Sequence, residues 1–225
     1  LGEHPDRVFN VGGMGIENIK RLKLLGKNEL ENLINFKFNK KNLLITFNPA
    51  TLEKISSKDQ FQELLYAISE LNNTNIIFTK TNSDLNGKVI NKMIDKYTSE
   101  NHKTSIGFIS LGQLKYLSTL QYVNAVVGNS SSGLLEAPSF KIGTINIGDR
   151  QKGRIKSLSV IDCEPKKNSI SRALTELYST KFLKTLKTSI NPYGDGHASK
   201  KIIDKIKKAN LKTILKKSFY YLKNK

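Results

Sequence analysis

Ser130, Ser131 and Ser132 stand in a row between Asn129 and Gly133, and a carboxylate, Glu136, follows shortly after. Hydroxyls and the amides of a Gly-flanked turn are hydrogen-bond donors, and a helix start adds unpaired N–H groups and the positive end of a dipole. Such a set suits an anion such as phosphate. Glu136 falls about one turn inside the expected helix, with its side chain leaning back toward the N-terminal mouth. A carboxylate is out of place in a bare anion trap. It fits a nucleotide, where it accepts hydrogen bonds from ribose hydroxyls. An ordinary Ser-capped helix behind a buried strand carries the same local pattern.

The elements needed to present these groups are legible on either side. Ala125–Gly128 is a short apolar strand, and Leu134–Phe140 reads as the helix that follows. Similar runs occur at Arg7–Val11, Leu43–Phe47, Asn75–Thr79, Thr104–Ile109, Gly143–Ile147 and Ser159–Cys163. Most are continuous rather than alternating, the mark of strands buried on both faces. Helical patterns separate them. Ser57-Lys58-Asp59-Gln60 reads as a capping box ahead of Phe61, Leu64, Leu65, Ile68 and Leu71. Lys88–Glu100, Gln113–Val123 and Asn168–Ser179 are further helices. Strand–helix alternation predicts an α/β fold, a Rossmann-like parallel sheet with helices on both faces, and a helical C-terminal extension. In such a sheet ligands bind beyond the carboxyl ends of the strands. The loops there begin at Asn48, Lys80, Ser110, Asn129 and Gly148, and all five should meet on one rim. Their convergence favours the nucleotide reading over the simple cap.

Composition bounds the rest. The 225 residues suffice for one good core, divided as a Rossmann-like domain over 1–190 and a linker with basic amphipathic helices over 191–225. No apolar run is long enough to span a bilayer, and nothing near Leu1 reads as a signal peptide. Cys163 is the single cysteine, which excludes an intrachain disulfide framework and favours a cytoplasmic location. His4, His102 and His197 show no ligand spacing with it, so no metal and no cofactor is expected. The net charge of +18 invites a nucleic-acid reading, but the excess is mostly Lys spread along helices with few Arg. No basic cluster is interleaved with aromatics, so an anionic small molecule ranks above nucleic acid. The basic amphipathic run from Ala198 onward, with Ile202, Ile203, Ile206, Leu211, Ile214, Leu215, Phe219 and Leu222, reads as a docking face for a further domain. The chain starts at Leu1 without Met and enters a strand-like run almost at once, as a piece cut from a longer polypeptide would; tag removal or processing gives the same start.

These residues together resemble the C-terminal half of the hydrolysing UDP-N-acetylglucosamine 2-epimerases. The resemblance covers nearly the whole chain and is most specific over Val127–Pro138 and Ile145–Arg154, with support from Asp6–Gly13 and Asn191–Gly196. It implies two Rossmann-like domains of the glycosyltransferase-B type with the active site between them. This chain is then the second, UDP-binding domain, and the N-terminal domain is absent from it. The implied reaction turns UDP-N-acetylglucosamine into N-acetylmannosamine and UDP, through a glycal to which water adds with inversion at C2, for sialic-acid-type surface polysaccharide. Much of the acid/base machinery for this would come from the N-terminal domain, so the chain alone is expected to bind without turnover. The complete protein is expected to be a homo-oligomer.

Residue by residue, the resemblance places Ser130 and Ser131 on the diphosphate, with Ser132 and Gly133 in the same turn, and Glu136 on the ribose hydroxyls. Arg150 answers to the basic residue that neutralises phosphate charge. Asn82 lines the cleft, and Ser110 and Leu111 fall where backbone meets the uracil ring, with Glu100 a weaker match upstream. One position departs. Leu43–Pro49 resembles a strand that in the family ends in His-Pro, and here the position is Asn48. An Asn carboxamide hydrogen-bonds but does not carry a proton at neutral pH. Asn48 therefore leaves either a weakened catalyst or a positioning role. Two other substrate readings stay open, a 2-epimerase for another UDP-amino sugar such as UDP-diacetylbacillosamine and a UDP-sugar glycosyltransferase. A charge-driven binder of nucleic acid or anionic surfaces is the third class.

Overall fold

A computed structural model describes residues 2–49, 55–81, 85–210 and 219–221. Asn82 and part of the C-terminal run, Leu211, Ile214, Leu215 and Leu222, lie outside them. The chain divides into two compact units, residues 22–192 and residues 1–21 with 193–225.

The larger unit is built on six strands: β1 (Lys41–Thr46), β2 (Thr74–Thr79), β3 (Ser105–Phe108), β4 (Ala125–Gly128), β5 (Gly143–Ile147) and β6 (Val160–Cys163). They form one sheet in the order β3-β2-β1-β4-β5-β6, with every neighbouring pair parallel. Every residue of β2, β4 and β5 is buried, as continuous apolar runs require of central parallel strands. Side chains alternate between the faces. Leu43, Ile45, Ile76, Phe78, Ala125, Val127, Ile145 and Ile147 form one core. It is completed by helices α3 (Ser57–Ser69), α4 (Leu85–Glu100), α7 (Lys167–Leu177) and α8 (Thr180–Thr188). Phe47, Phe61, Phe78 and Tyr97 make a chain of ring contacts through it, with centroids 5.6, 6.4 and 5.6 Å apart. Leu44, Ile77 and Val126 are buried on the alternate positions, as are Leu30 and Ile34 of α2 (Lys27–Ile34) and Leu117 of α5 (Gly112–Thr119).

Local chemistry corrects several boundaries. The N-cap of α3 is Ser56, whose hydroxyl accepts the Asp59 amide at 3.1 Å, one residue ahead of the box read from the sequence. The helix expected over Leu134–Phe140 is a single turn, α6 (Ser132–Leu135), followed by a 3-10 turn over Ala137–Phe140. Pro138 explains the break, because it has no N–H for the Leu134 carbonyl and its ring crowds that carbonyl.

In the smaller unit, Arg7–Val11 is not a strand. Pro5–Arg7 form a 3-10 turn and Val8 and Phe9 are exposed, with no strand among the described residues paired to them. The unit holds α1 (Met14–Arg21) and α9 (Ala198–Lys207). Glu17 of α1 accepts both the amide and the hydroxyl of Ser199 at the start of α9, at 2.9 and 2.5 Å, which holds its carboxyl below the usual range. Ile203 and Ile206 of α9 are exposed.

No helix among the described residues is long and apolar enough to cross a membrane.

Candidate functional site

Because all six strands run the same way, their carboxyl ends share one rim. The strand order reverses between β1 and β4, since β2 and β3 lie to one side and β5 and β6 to the other. A cleft of about 410 Å³ opens there, the place where open α/β sheets take ligands. Its walls carry Thr46, Thr79, Lys80, the stretch Ile109–Gln113, Tyr116, Leu117, Ser130, Ser132 and Glu136.

The structure therefore brings Ser110, Leu111, Ser130, Ser132 and Glu136 to one cavity, although the crossover from β3 to β4 separates the first two from the rest in sequence. Ser110 is set by its own turn, its hydroxyl accepting the Gly112 amide at 3.0 Å. Gly112 has a φ of +62°, which lets the chain enter α5 at once.

On the β4 side the amides of Ser130 and Ser131 have no hydrogen-bond partner among the described residues, and the Ser132 amide has only a long contact to the Ser130 hydroxyl, 3.4 Å. They are free to meet an acceptor. The macrodipole of a four-residue turn is small, so the anion argument rests on these amides and hydroxyls rather than on a helix. Glu136 caps the end of α6 instead of lying inside a helix. It is half-buried, and burial raises its carboxyl above the ordinary value while the neighbouring Ser132 hydroxyl pulls the other way. Tyr116 on α5 reaches across to the Ser132 hydroxyl. Burial pushes its phenol up, and the nearby Glu136 charge adds to that. Lys80 is paired with Asp95 at 2.5 Å. The hydroxyls of Thr46 and Thr79 meet at 2.6 Å on adjacent strand ends.

Behind this cleft, Asn129 ties three loops together. Its amide donates to Thr46 O at 3.2 Å, while its side chain accepts the Asn48 amide at 2.7 Å and donates to Asn48 O at 2.8 Å. Its carbonyl accepts Arg150 Nη1 at 3.0 Å and Gln151 Nε2 at 2.7 Å. Asn48 Oδ1 in turn accepts the Thr81 hydroxyl at 3.1 Å. Asn48 and Arg150 are thus anchored beside the Ser130 turn but do not line the cleft. Gly133 is packed rather than displayed: a Cβ there would meet Thr144 Cγ2 at 2.6 Å, and its carbonyl accepts the Thr144 hydroxyl. Ser131 is not among the lining residues, although its amide is open.

Thr46, Thr79, Gln113 and Tyr116 are lining residues that the sequence does not single out. The two threonines end their strands, a position that could have flagged them. Tyr116 could not be assigned without the phase of α5. Among the described residues no cluster of His, Cys, Asp or Glu is placed to hold a metal.

The sequence model of the UDP-N-acetylglucosamine 2-epimerase family matches residues 1–207. The chain belongs to this family. It is 42% identical over 221 residues to the GDP/UDP-N,N'-diacetylbacillosamine 2-epimerase (hydrolyzing) of Campylobacter jejuni, covering 97% of this epimerase-family chain and 57% of that protein. It is 43% identical over 194 residues to the polysialic acid biosynthesis protein P7 of Escherichia coli, covering 86% of the chain and 49% of that protein. The chain thus spans about half the length of these relatives. Among solved structures, the UDP-GlcNAc 2-epimerase of Neisseria meningitidis bound to UDP-GlcNAc superposes with a TM-score of 0.73 at 17% identity, over 92% of this chain and 57% of that one. That likeness supports the doubly covered parallel sheet of an epimerase-type fold.

Proposed function

We propose that the rim cleft holds the UDP part of a UDP-linked amino sugar, in the second half of a hydrolysing 2-epimerase. The observation that carries this is the meeting of Ser110, Leu111, Ser130, Ser132 and Glu136 at the point where strand order reverses. The open amides of Ser130 and Ser131 and the Ser130 hydroxyl take diphosphate oxygens, with Arg150 close behind to balance charge. Glu136 takes the ribose hydroxyls, and the wall over Ile109–Leu111 takes the base. Asn82 belongs to the same proposal by family match alone.

The acid and base that move protons at C2 are assigned to the partnering N-terminal domain. Among the described lining residues the titratable groups are Lys80, Tyr116 and Glu136, and Lys80 is already paired. Asn48, held by Asn129 and Thr81, positions the loop and transfers no proton. For the sugar, the 42% identity to an N,N'-diacetylbacillosamine enzyme over nearly the whole chain favours a diacetamido sugar. The match to the Neisseria meningitidis UDP-N-acetylglucosamine enzyme is weaker, 30% over 59% of the chain. A cytoplasmic, oligomeric enzyme feeding surface-glycan synthesis completes the reading.

Thermal unfolding with and without UDP tests the binding step. At a UDP concentration about 100 times Kd, stabilisation of about 2.7 kcal/mol is expected, and Glu136→Ala and Ser130→Ala should abolish it. A chain that ignores UDP but binds DNA tightly would overturn the proposal. In the complete protein, release of free 2-epimerised sugar without any acceptor separates an epimerase from a glycosyltransferase, and comparing the two UDP-sugars decides the substrate.

A further inference from the structure

Tyr116 has no part in the site as read from the sequence, yet its hydroxyl contacts Ser132 inside the cleft. Ser132 and Glu136 lie one turn apart on the same wall of the cleft, the Glu136 amide donating to the Ser132 carbonyl at 2.8 Å, so the serine hydroxyl stands beside the carboxylate. A serine hydroxyl has one proton and two lone pairs, so it donates to the carboxylate best when a second donor fills its acceptor side. A buried phenol is such a donor, since it stays protonated across the working pH range. We propose that Tyr116 is a positioning residue, which donates to Ser132 so that Ser132 donates to Glu136 and aims the carboxylate at the ribose. The direction of the relay follows from the partners: the carboxylate only accepts, so the proton of Ser132 goes there and that of Tyr116 goes to Ser132. The relay links α5 to the end of α6, and thereby ties the base-side wall, which begins at Ile109, to the ribose-side group.

This inference rests on the reading of the cleft as a UDP site. Around Glu136 the titratable or charged neighbours from the packed elements are Tyr116 on α5 and Lys80 beyond β2, the latter held by Asp95. The relay favours the ionised form of Glu136 against the cost of burial. Its loss should raise the pH at which the carboxylate ionises, so the acidic limb of UDP binding should move to higher pH.

Titration calorimetry with UDP and 2'-deoxy-UDP, from pH 5 to 8, on the wild-type chain and on Tyr116→Phe, Ser132→Ala and Glu136→Gln decides the matter. A lost hydrogen bond between neutral groups corresponds to about fivefold in affinity. Tyr116→Phe should weaken UDP by about that factor, reduce the preference for UDP over its deoxy form, and shift the acidic limb upward. Tyr116→Phe/Ser132→Ala should bind no worse than Ser132→Ala alone, because one relay is broken in both. Should Tyr116→Phe fold poorly, Ser132→Ala with Tyr116 intact must still show the smaller ribose preference and the shifted limb. Unchanged preference and limb in the Tyr116→Phe and Ser132→Ala variants would overturn the relay while Glu136→Gln still weakened UDP. If Glu136→Gln also left UDP binding untouched, the nucleotide reading itself would fall.

Discussion

Asn129 engages its amide, its carbonyl and its carboxamide with neighbouring loops, and Asn48 is the main beneficiary. Replacing Asn129 by Ala leaves the Asn48 amide and carbonyl without partners in a region where Asn129 itself is 1% exposed. Stranding a buried backbone group costs about 1–3 kcal/mol, and because Asn48 is itself half-buried its two groups fall at the low end, so Asn129→Ala should lower unfolding stability by about 2 kcal/mol. Urea denaturation measures it, and a loss within error of zero would mean that the loops hold without this clasp. At this scale the sequence showed part of the site. Ser130, Ser132 and Glu136 were legible because their types and spacing alone suggest donors around an acceptor. Asn129 was not, because its partner Asn48 lies 81 residues away and only the pairing of β1 with β4 brings them together.

At the level of elements, the six strands could be read because burial on both faces leaves a nearly continuous apolar run, although Arg7–Val11 imitates that run without being a strand. Helix ends were less legible, since capping depends on a single hydrogen bond. Ser56 shows this: it caps α3 through the Asp59 amide, and the neighbouring Ser57 has the same type. Ser56→Ala is expected to cost about 1 kcal/mol, whereas Ser56→Asp should keep the cap, both read from shifts in the denaturation midpoint. The short helix α8 was missed altogether. Its cap, Ser179 accepting the Phe182 amide at 3.2 Å, sits in a lysine-rich stretch whose only buried residues are Phe182 and Leu186. Two buried residues per helix give too faint a period to read.

Across the whole molecule, 37 basic against 19 acidic residues give a net charge of +18. Self-repulsion of that size opposes compaction, and it is screened over about 10 Å at 0.1 M salt. The melting temperature should therefore rise as NaCl goes from low to moderate concentration, while UDP affinity should fall over the same range because its phosphates are attracted by the same charge. Differential scanning fluorimetry and calorimetry across a salt series check both, and a melting temperature that falls with salt would contradict the repulsion argument. The parallel sheet and the family were within reach of the sequence, since strand–helix alternation and motif order survive divergence, whereas the order of the strands was not read from it. The grouping of residues 1–21 with 193–225 was not, because contacts between the two ends of a chain leave no local mark.

Gly128 closes β4 with a φ of +133°, and a Cβ there would stand 2.1 Å from the Thr46 carbonyl oxygen. Main chain from β1 and β4 thus meets directly at the base of the cleft, with no room for any side chain between them. For an engineer wishing to retune the ligand, that base is fixed stock. New specificity has to be carved from the walls, at Ile109 and Gln113, where side chains rather than backbone define the shape. Lineages that exchange one nucleotide-sugar for another would be expected to keep the glycine and drift at those wall positions.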